Sequence, residues 1–264
     1  MNPPRTSLLK QIKAIAGNTF REAVRDRVLY NLVLFALLII ACAILLGDLT
    51  DGQEARTIVN IGLNAMLLFG TFIAIFVGVG LVSKEIEKRT VYAIFSKPIG
   101  RGEFIVGKYL GLCLTLLLNT VVMGLGVMIA LLYVGGTAFA ISIWGAIALI
   151  FLEFTIITAV AILFSSFSSP SLSALLTFLV FVIGHLSSSL RDFAAATNST
   201  VALYVFEAIY YLLPNLSIYS FRTETANGLT PTGSMIGMAV VYSVAYIAVL
   251  IAISIVVFRK RNFK

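Results

Sequence analysis

Charge is scarce in this chain: 12% of its 264 residues are Asp, Glu, Lys or Arg, against about 25% in soluble globular domains. That shortage, with a mean hydropathy of +1.02, excludes an ordinary soluble fold and marks an integral membrane protein. Histidine occurs once and the Gly-x-Ser-x-Gly pattern never, so the paired groups needed for proteolysis or lipid hydrolysis are missing and no enzymatic activity is expected. The two cysteines, Cys42 and Cys113, lie in apolar runs with no second thiol or histidine at ligand spacing; neither a disulfide nor a metal site is expected. A net charge of +7 would suggest nucleic acid in a soluble domain, but here the basic residues flank apolar segments and act as topology signals, so no nucleic-acid partner is expected. Internal repeats, low-complexity tracts and a separately folding soluble domain are also lacking.

What remains is long apolar helix. A membrane-spanning helix needs about 20 mainly apolar residues, and such stretches fall at 28–47, 58–82, 109–134, 138–164, 172–190 and 234–258. The expected fold is all-α, one membrane domain over 1–264 with six spans embedded in the lipid bilayer. Sixteen of the nineteen Lys and Arg residues precede the first span, separate the second from the third, or follow the last; only Arg56, Arg191 and Arg222 lie on the other side. By the positive-inside rule both termini are cytoplasmic. Residues 1–27 form a lead helix with Leu8, Ile12, Ile15, Ala16, Phe20, Ala23 and Val24 at helical spacing, expected to lie along the inner membrane surface. Ile39-Ile40-Ala41-Cys42 resembles a lipoprotein cleavage box, but the basic region is too long and the apolar run continues past it, so an uncleaved first span is expected. The loop 191–233 contains an apolar stretch, Val201 to Leu213, interrupted by Glu207 and ended by Pro214. It is too short to cross and is expected to be re-entrant or interfacial.

Few motifs could carry chemistry. Gly102 to Lys108 has phosphate-loop spacing, but Tyr109 stands where magnesium binding needs Ser or Thr, and no strand precedes it. Phe104, Ile105 and Val106 are expected to be buried, with Lys108 snorkelling toward the phosphates. Glu153 falls near the middle of the fourth span, where a charge costs about 3 kcal/mol on insertion scales. It is expected either to hydrogen-bond Thr155, Asn119 or another span, or to line a polar route. His185 precedes Ser187, Ser188 and Ser189, its expected hydrogen-bond partners, with a proton, metal or substrate contact as the alternative. Asn60, Asn64 and Asn119 are expected to form helix-packing hydrogen bonds, and Gly107-x-x-x-Gly111 is a close-packing signal.

The densest charge lies between the second and third spans. Lys84-Glu85-Ile86-Glu87-Lys88-Arg89 is polar enough to leave the membrane, Val91-Tyr92-Ala93-Ile94-Phe95 is apolar and aromatic, and Pro98 ends a helix at about Lys97. A topology loop would account for the charges but not for the apolar tip, which suits a groove on a soluble partner.

This block resembles the ABC type-2 permease family, the membrane subunits of ATP-binding-cassette exporters, through Lys84-Glu85-Ile86-Glu87-Lys88-Arg89-Thr90, then Ser96-Lys97-Pro98-Ile99 with Arg101, then Gly107-Lys108. Arg89 stands where many members have glycine. The resemblance implies a homodimer of six-span subunits in the bacterial cytoplasmic (inner) membrane, each bound by a cytoplasmic ATPase subunit, two copies in all. ATP and magnesium would be held by that partner and no cofactor by this chain. A coupling helix over 84–98 would seat Glu85, Ile86, Glu87, Arg89, Thr90, Val91, Tyr92, Ile94, Phe95, Lys97 and Pro98 on the ATPase, and Lys13, Arg21 and Arg25 of the lead helix would touch it again. The first and fifth spans of two copies would line the path, bringing Tyr30, Asn31, Phe178 and His185 near it, with Glu153 a further path residue. An extracytoplasmic accessory protein is a further partner to consider. Two other classes compete: an ion-gradient-driven secondary transporter or channel using Glu153 and His185 for protons, and a membrane anchor that docks another protein.

Overall fold

The computed structural model describes residues 8–47, 49–50, 52–87, 100–187 and 200–260. Every regular element among them is helical: α1 Leu8–Val24, α2 Arg27–Gly47, α3 Glu54–Glu87, α4 Arg101–Tyr133, α5 Thr137–Ser165, α6 Pro170–His185, α7 Thr200–Leu212, a 3-10 turn Leu216–Tyr219, α8 Arg222–Ala226 and α9 Gly233–Lys260. Five of them, α2, α3, α4, α5 and α9, contain stretches long and apolar enough to cross a membrane.

The fifth expected span, 172–190, is realised as the 16-residue α6, about 24 Å long against a hydrocarbon core of about 30 Å. Residues 188–190 of that expected span lie outside the described residues. Near the end of α6, Gly184 has no side chain, and a Cβ there would sit 2.7 Å from the Pro214 carbonyl oxygen, so the chain at Pro214 packs closely against the helix.

α5 sits at the centre. It is apolar on every face, as a helix enclosed by others must be, and packs against α3, α4, α6 and α9. α2 and α9 lie outside, with Leu34, Phe35, Leu38, Val240, Val241 and Val244 exposed. Between α4 and α5 the chain reverses through Gly135, whose φ of +78° is a left-handed conformation natural to glycine.

α1 does more than rest beside the bundle. Gly107 and Gly111 form a notch on α4, where an added Cβ would stand 2.7 Å from Ile15 Cβ and 2.6 Å from the Ala16 carbonyl oxygen. Small residues allow this close backbone approach, so the close-packing signal in α4 is the seat of the lead helix. Thr19 and Ala23 are buried there. Phe104 and Ile105 are buried as expected. Lys108 does not snorkel: it is 3% exposed, with Nζ 3.5 Å from Glu22 Oε2 and 5.8 Å from the Phe104 ring centre. Arg101 donates to the carbonyl oxygens of Phe258 and Arg259, at 3.2 and 2.7 Å. It thereby ties the start of α4 to the last turn of α9, where unpaired carbonyls attract a cation.

Candidate functional site

The short helix expected over Val201 to Leu213 is present as α7, and a second, buried segment follows it. α7 covers most of Val201 to Leu213, but its Tyr204, Tyr211 and Leu212 are exposed. The segment that enters the bundle begins after Pro214: Leu216, Tyr219, Thr225 and Ala226 are buried. Irregular backbone survives at membrane depth only when protein satisfies its polar groups, and here it does. The Asn215 side-chain oxygen accepts from the Ser217 amide and hydroxyl and from the Ser187 hydroxyl, at 3.1, 2.6 and 2.7 Å. The Asn215 amide donates to the Tyr242 hydroxyl at 2.9 Å. The Tyr219 hydroxyl meets Ser243 Oγ at 2.6 Å.

This segment brings Arg222 to the two ionisable residues of the inner spans. Glu153 on α5 is completely buried, and its Oε1 lies 3.5 Å from His185 Nδ1 on α6. That is a close approach without hydrogen-bond geometry: both Glu153 oxygens, both His185 ring nitrogens and Arg222 Nη1 are buried with no hydrogen-bond partner. Burial pulls the Arg222 guanidinium below its ordinary value, while the carboxylates of Glu153 and Glu224 push it back up; arginine keeps its charge throughout. Tyr219, held up at about 12 chiefly by burial, stays a neutral phenol. Arg222 Nε also donates to Asn64 Oδ1 at 3.1 Å, and Asn64 Nδ2 donates to Asn60 Oδ1 and to the Asn60 carbonyl, both at 2.8 Å. A polar line therefore runs from the exposed face of α3 to the bundle centre.

α3 returns the contact. Arg56 Nε donates to the Ala226 carbonyl at 3.2 Å and a terminal guanidinium nitrogen of Arg56 bonds Asn227 Oδ1. Each element thus sends an arginine to the other, Arg222 from the first turn of α8 and Arg56 to its last.

A family model described as ABC-2 family transporter protein matches residues 13–263. The chain belongs to the ABC-2 transporter family. A search of curated proteins finds no match to it. It is accordingly a multi-pass membrane protein and the permease component of an ABC transporter, a family whose members partner an ABC ATPase subunit.

Within this ABC-2 permease, the residues named from sequence distribute unevenly. Glu153 and His185 meet; Ser187 bonds Asn215 instead of His185, and Ser188 and Ser189 lie outside the described residues. Glu153 finds its counterparts on α6 and α8, not in Asn119 or Thr155, whose hydroxyl donates to the Leu152 carbonyl. Phe178 stacks on Phe72 of α3, ring centres 6.3 Å apart, and also approaches Phe181, which meets the His185 ring at 4.8 Å. Tyr30 and Asn31 stand exposed on α2, which packs against α3 and α4. Of the coupling block, Glu85, Ile86 and Glu87 complete α3, and Arg89, Thr90, Val91, Tyr92, Ile94, Phe95, Lys97 and Pro98 lie outside the described residues. Lys13, Arg21 and Arg25 are exposed on α1. Sequence reasoning missed Arg222, which it counted only as a charge in an outer loop; an arginine close behind an apolar, proline-ended segment was the available signal.

Proposed function

We propose that this permease is an exporter subunit that works as a homodimer in the bacterial cytoplasmic membrane, both termini inside, driven by two copies of a separate ATPase that hold ATP and magnesium. The ATPase grips the block 84–98 and touches Lys13, Arg21 and Arg25; the permease hydrolyses nothing. One observation carries this reading: α3 runs unbroken for 34 residues, about 51 Å, so the helix that crosses the membrane continues directly into the charged block. A push at the block then tilts the whole span as a rigid body. Glu153, His185 and Arg222 form a polar station inside the bundle, beside which substrate passes.

The test is purification in mild detergent, which should yield an ABC ATPase at equal stoichiometry. Tyr92→Asp or Phe95→Asp should abolish permease-stimulated ATP hydrolysis while the chain still inserts; normal turnover in both variants would refute the grip. The contact between Glu153 and His185 favours a second reading, an ion-driven transporter. Transport that persists when the ATPase is deleted would establish that reading instead.

A further inference from the structure

We propose that the exposed face of α7 is a recognition site, at membrane depth, for a lipophilic organic cation among the molecules this permease moves. Its depth follows from hydrogen bonds to α9. The Tyr246 hydroxyl donates to the Leu212 carbonyl at 2.9 Å, and the Asn215 amide donates to the Tyr242 hydroxyl, one turn nearer Gly233, also at 2.9 Å. Tyr246 stands about 20 Å along α9 from Gly233, so the end of α7 lies well inside the apolar stretch Gly233–Arg259. Glu207 precedes Leu212 on α7 by about 7.5 Å of helix. Whichever way α7 points, Glu207 therefore falls about 12 to 28 Å from the Gly233 end. A hydrocarbon core about 30 Å thick, placed anywhere on that stretch of about 40 Å, covers this range.

Glu207 is exposed there, together with Tyr204, Ala208, Tyr211 and Leu212. Their spacing puts all five on one stripe of the helix. Acids at membrane depth are costly against lipid and face protein or a water-filled cavity instead, so this stripe lines a polar path. Charge complementarity gives its occupant. Tyr204 and Tyr211, 69% and 78% exposed, stand one turn to either side of Glu207, where their ring faces attract a cation and the carboxylate pairs with it. A second copy of the chain supplies no free cation for the stripe from its described residues: Arg222 is engaged by Asn64, and Arg56 by Ala226 and Asn227, while the other described Lys and Arg residues belong to α1, the end of α3, the start of α4 and the end of α9. The inference rests on the permease reading, which supplies the path, and names a class of transported molecule.

The experiment is equilibrium dialysis of the purified full chain in dodecyl maltoside against tetraphenylphosphonium and tetraphenylborate, ions of matched size and opposite charge. Tetraphenylphosphonium should bind saturably, and about tenfold tighter to the native chain than to Glu207→Gln. Ala208→Lys, which sets a fixed cation beside Glu207, should weaken it as much. Both substitutions are at exposed positions and should leave the melting temperature and tetraphenylborate binding unchanged. A Glu207→Gln variant that binds tetraphenylphosphonium like the native chain would overturn the proposal. So would an equal loss of tetraphenylborate, the sign of a general apolar surface, or disulfide cross-linking of two copies through Glu207→Cys, because a second permease would then cover the face. The measurement needs no ATPase, so its failure and the failure of the ATPase partnership are separate results.

Discussion

The charge balance at the bundle centre makes a quantitative prediction. Glu153 is completely buried with His185 3.5 Å away, and Arg222 reaches the same place from α8. Breaking a buried pair from one side costs about 3 to 5 kcal/mol, because the surviving charge is left uncompensated. Arg222 is only partly buried, so a cost below that range applies. Arg222→Gln and Glu153→Gln should each destabilise by about 2 to 3 kcal/mol, and the double variant by no more than either single one, giving a coupling of about 2 to 3 kcal/mol. Thermal unfolding of the purified chain, followed by loss of helical circular dichroism, should show each single variant melting about 4 to 12 °C lower. Additive losses would mean that the two residues ignore one another. A Glu153→Gln variant as stable as the native chain would refute the reasoning outright, since it would show a neutral acid that needs no cation.

Three further outcomes follow from the packing. Gly111→Leu should lift α1 from α4, because its Cβ would meet the Ala16 carbonyl at 2.6 Å; a loss of about 1 to 3 kcal/mol should accompany fast maleimide labelling of Thr19→Cys, which is 1% exposed in the native chain. Arg101→Ala should free the end of α9, measured as faster hydrogen exchange at residues 256–260 with little change in the outer segment. Tyr219→Phe removes the hydroxyl that meets Ser243 and donates to the Ala239 carbonyl, and should lower stability by about 1 kcal/mol in the same melting assay.

The spans were legible because a twenty-residue apolar run has few alternatives to a membrane helix, and α5 and α9 match their expected limits within two residues. α6 carries the fifth expected span as far as His185, but its close approach to the chain at Pro214 through Gly184 joins positions too far apart in sequence to be read there. Glu153 and His185 were legible as costly intramembrane groups, but which residues would compensate them was not. Composition assigns Arg222 to a loop, and only the buried path of residues 214–228 carries it back to the bundle. The Gly107 and Gly111 notch was visible as a motif, yet its occupant, α1, was expected on the membrane surface.

The few arginines on the sparsely charged side are best understood through α3. Asn64 and Glu87 are 23 residues apart on one continuous helix, about 35 Å along its axis. A tilt of about 5°, delivered at the proposed ATPase contact, would move the Asn64 end by about 3 Å. That is as long as the 3.1 Å bond from Arg222 to Asn64, so even a small tilt breaks the Arg222 contact and strains the Arg56 contact with α8. The same rod therefore links the charged block to the clasp on the buried segment, and the clasp is the part of the bundle least able to follow it. Spin labels at Tyr133→Cys and Leu229→Cys, both exposed, should report a change in separation of a few ångströms during ATP turnover by the assembled transporter. An unchanged distance under turnover would show that α3 tilts without releasing the segment, and that Arg56 and Arg222 serve only to hold the fold together.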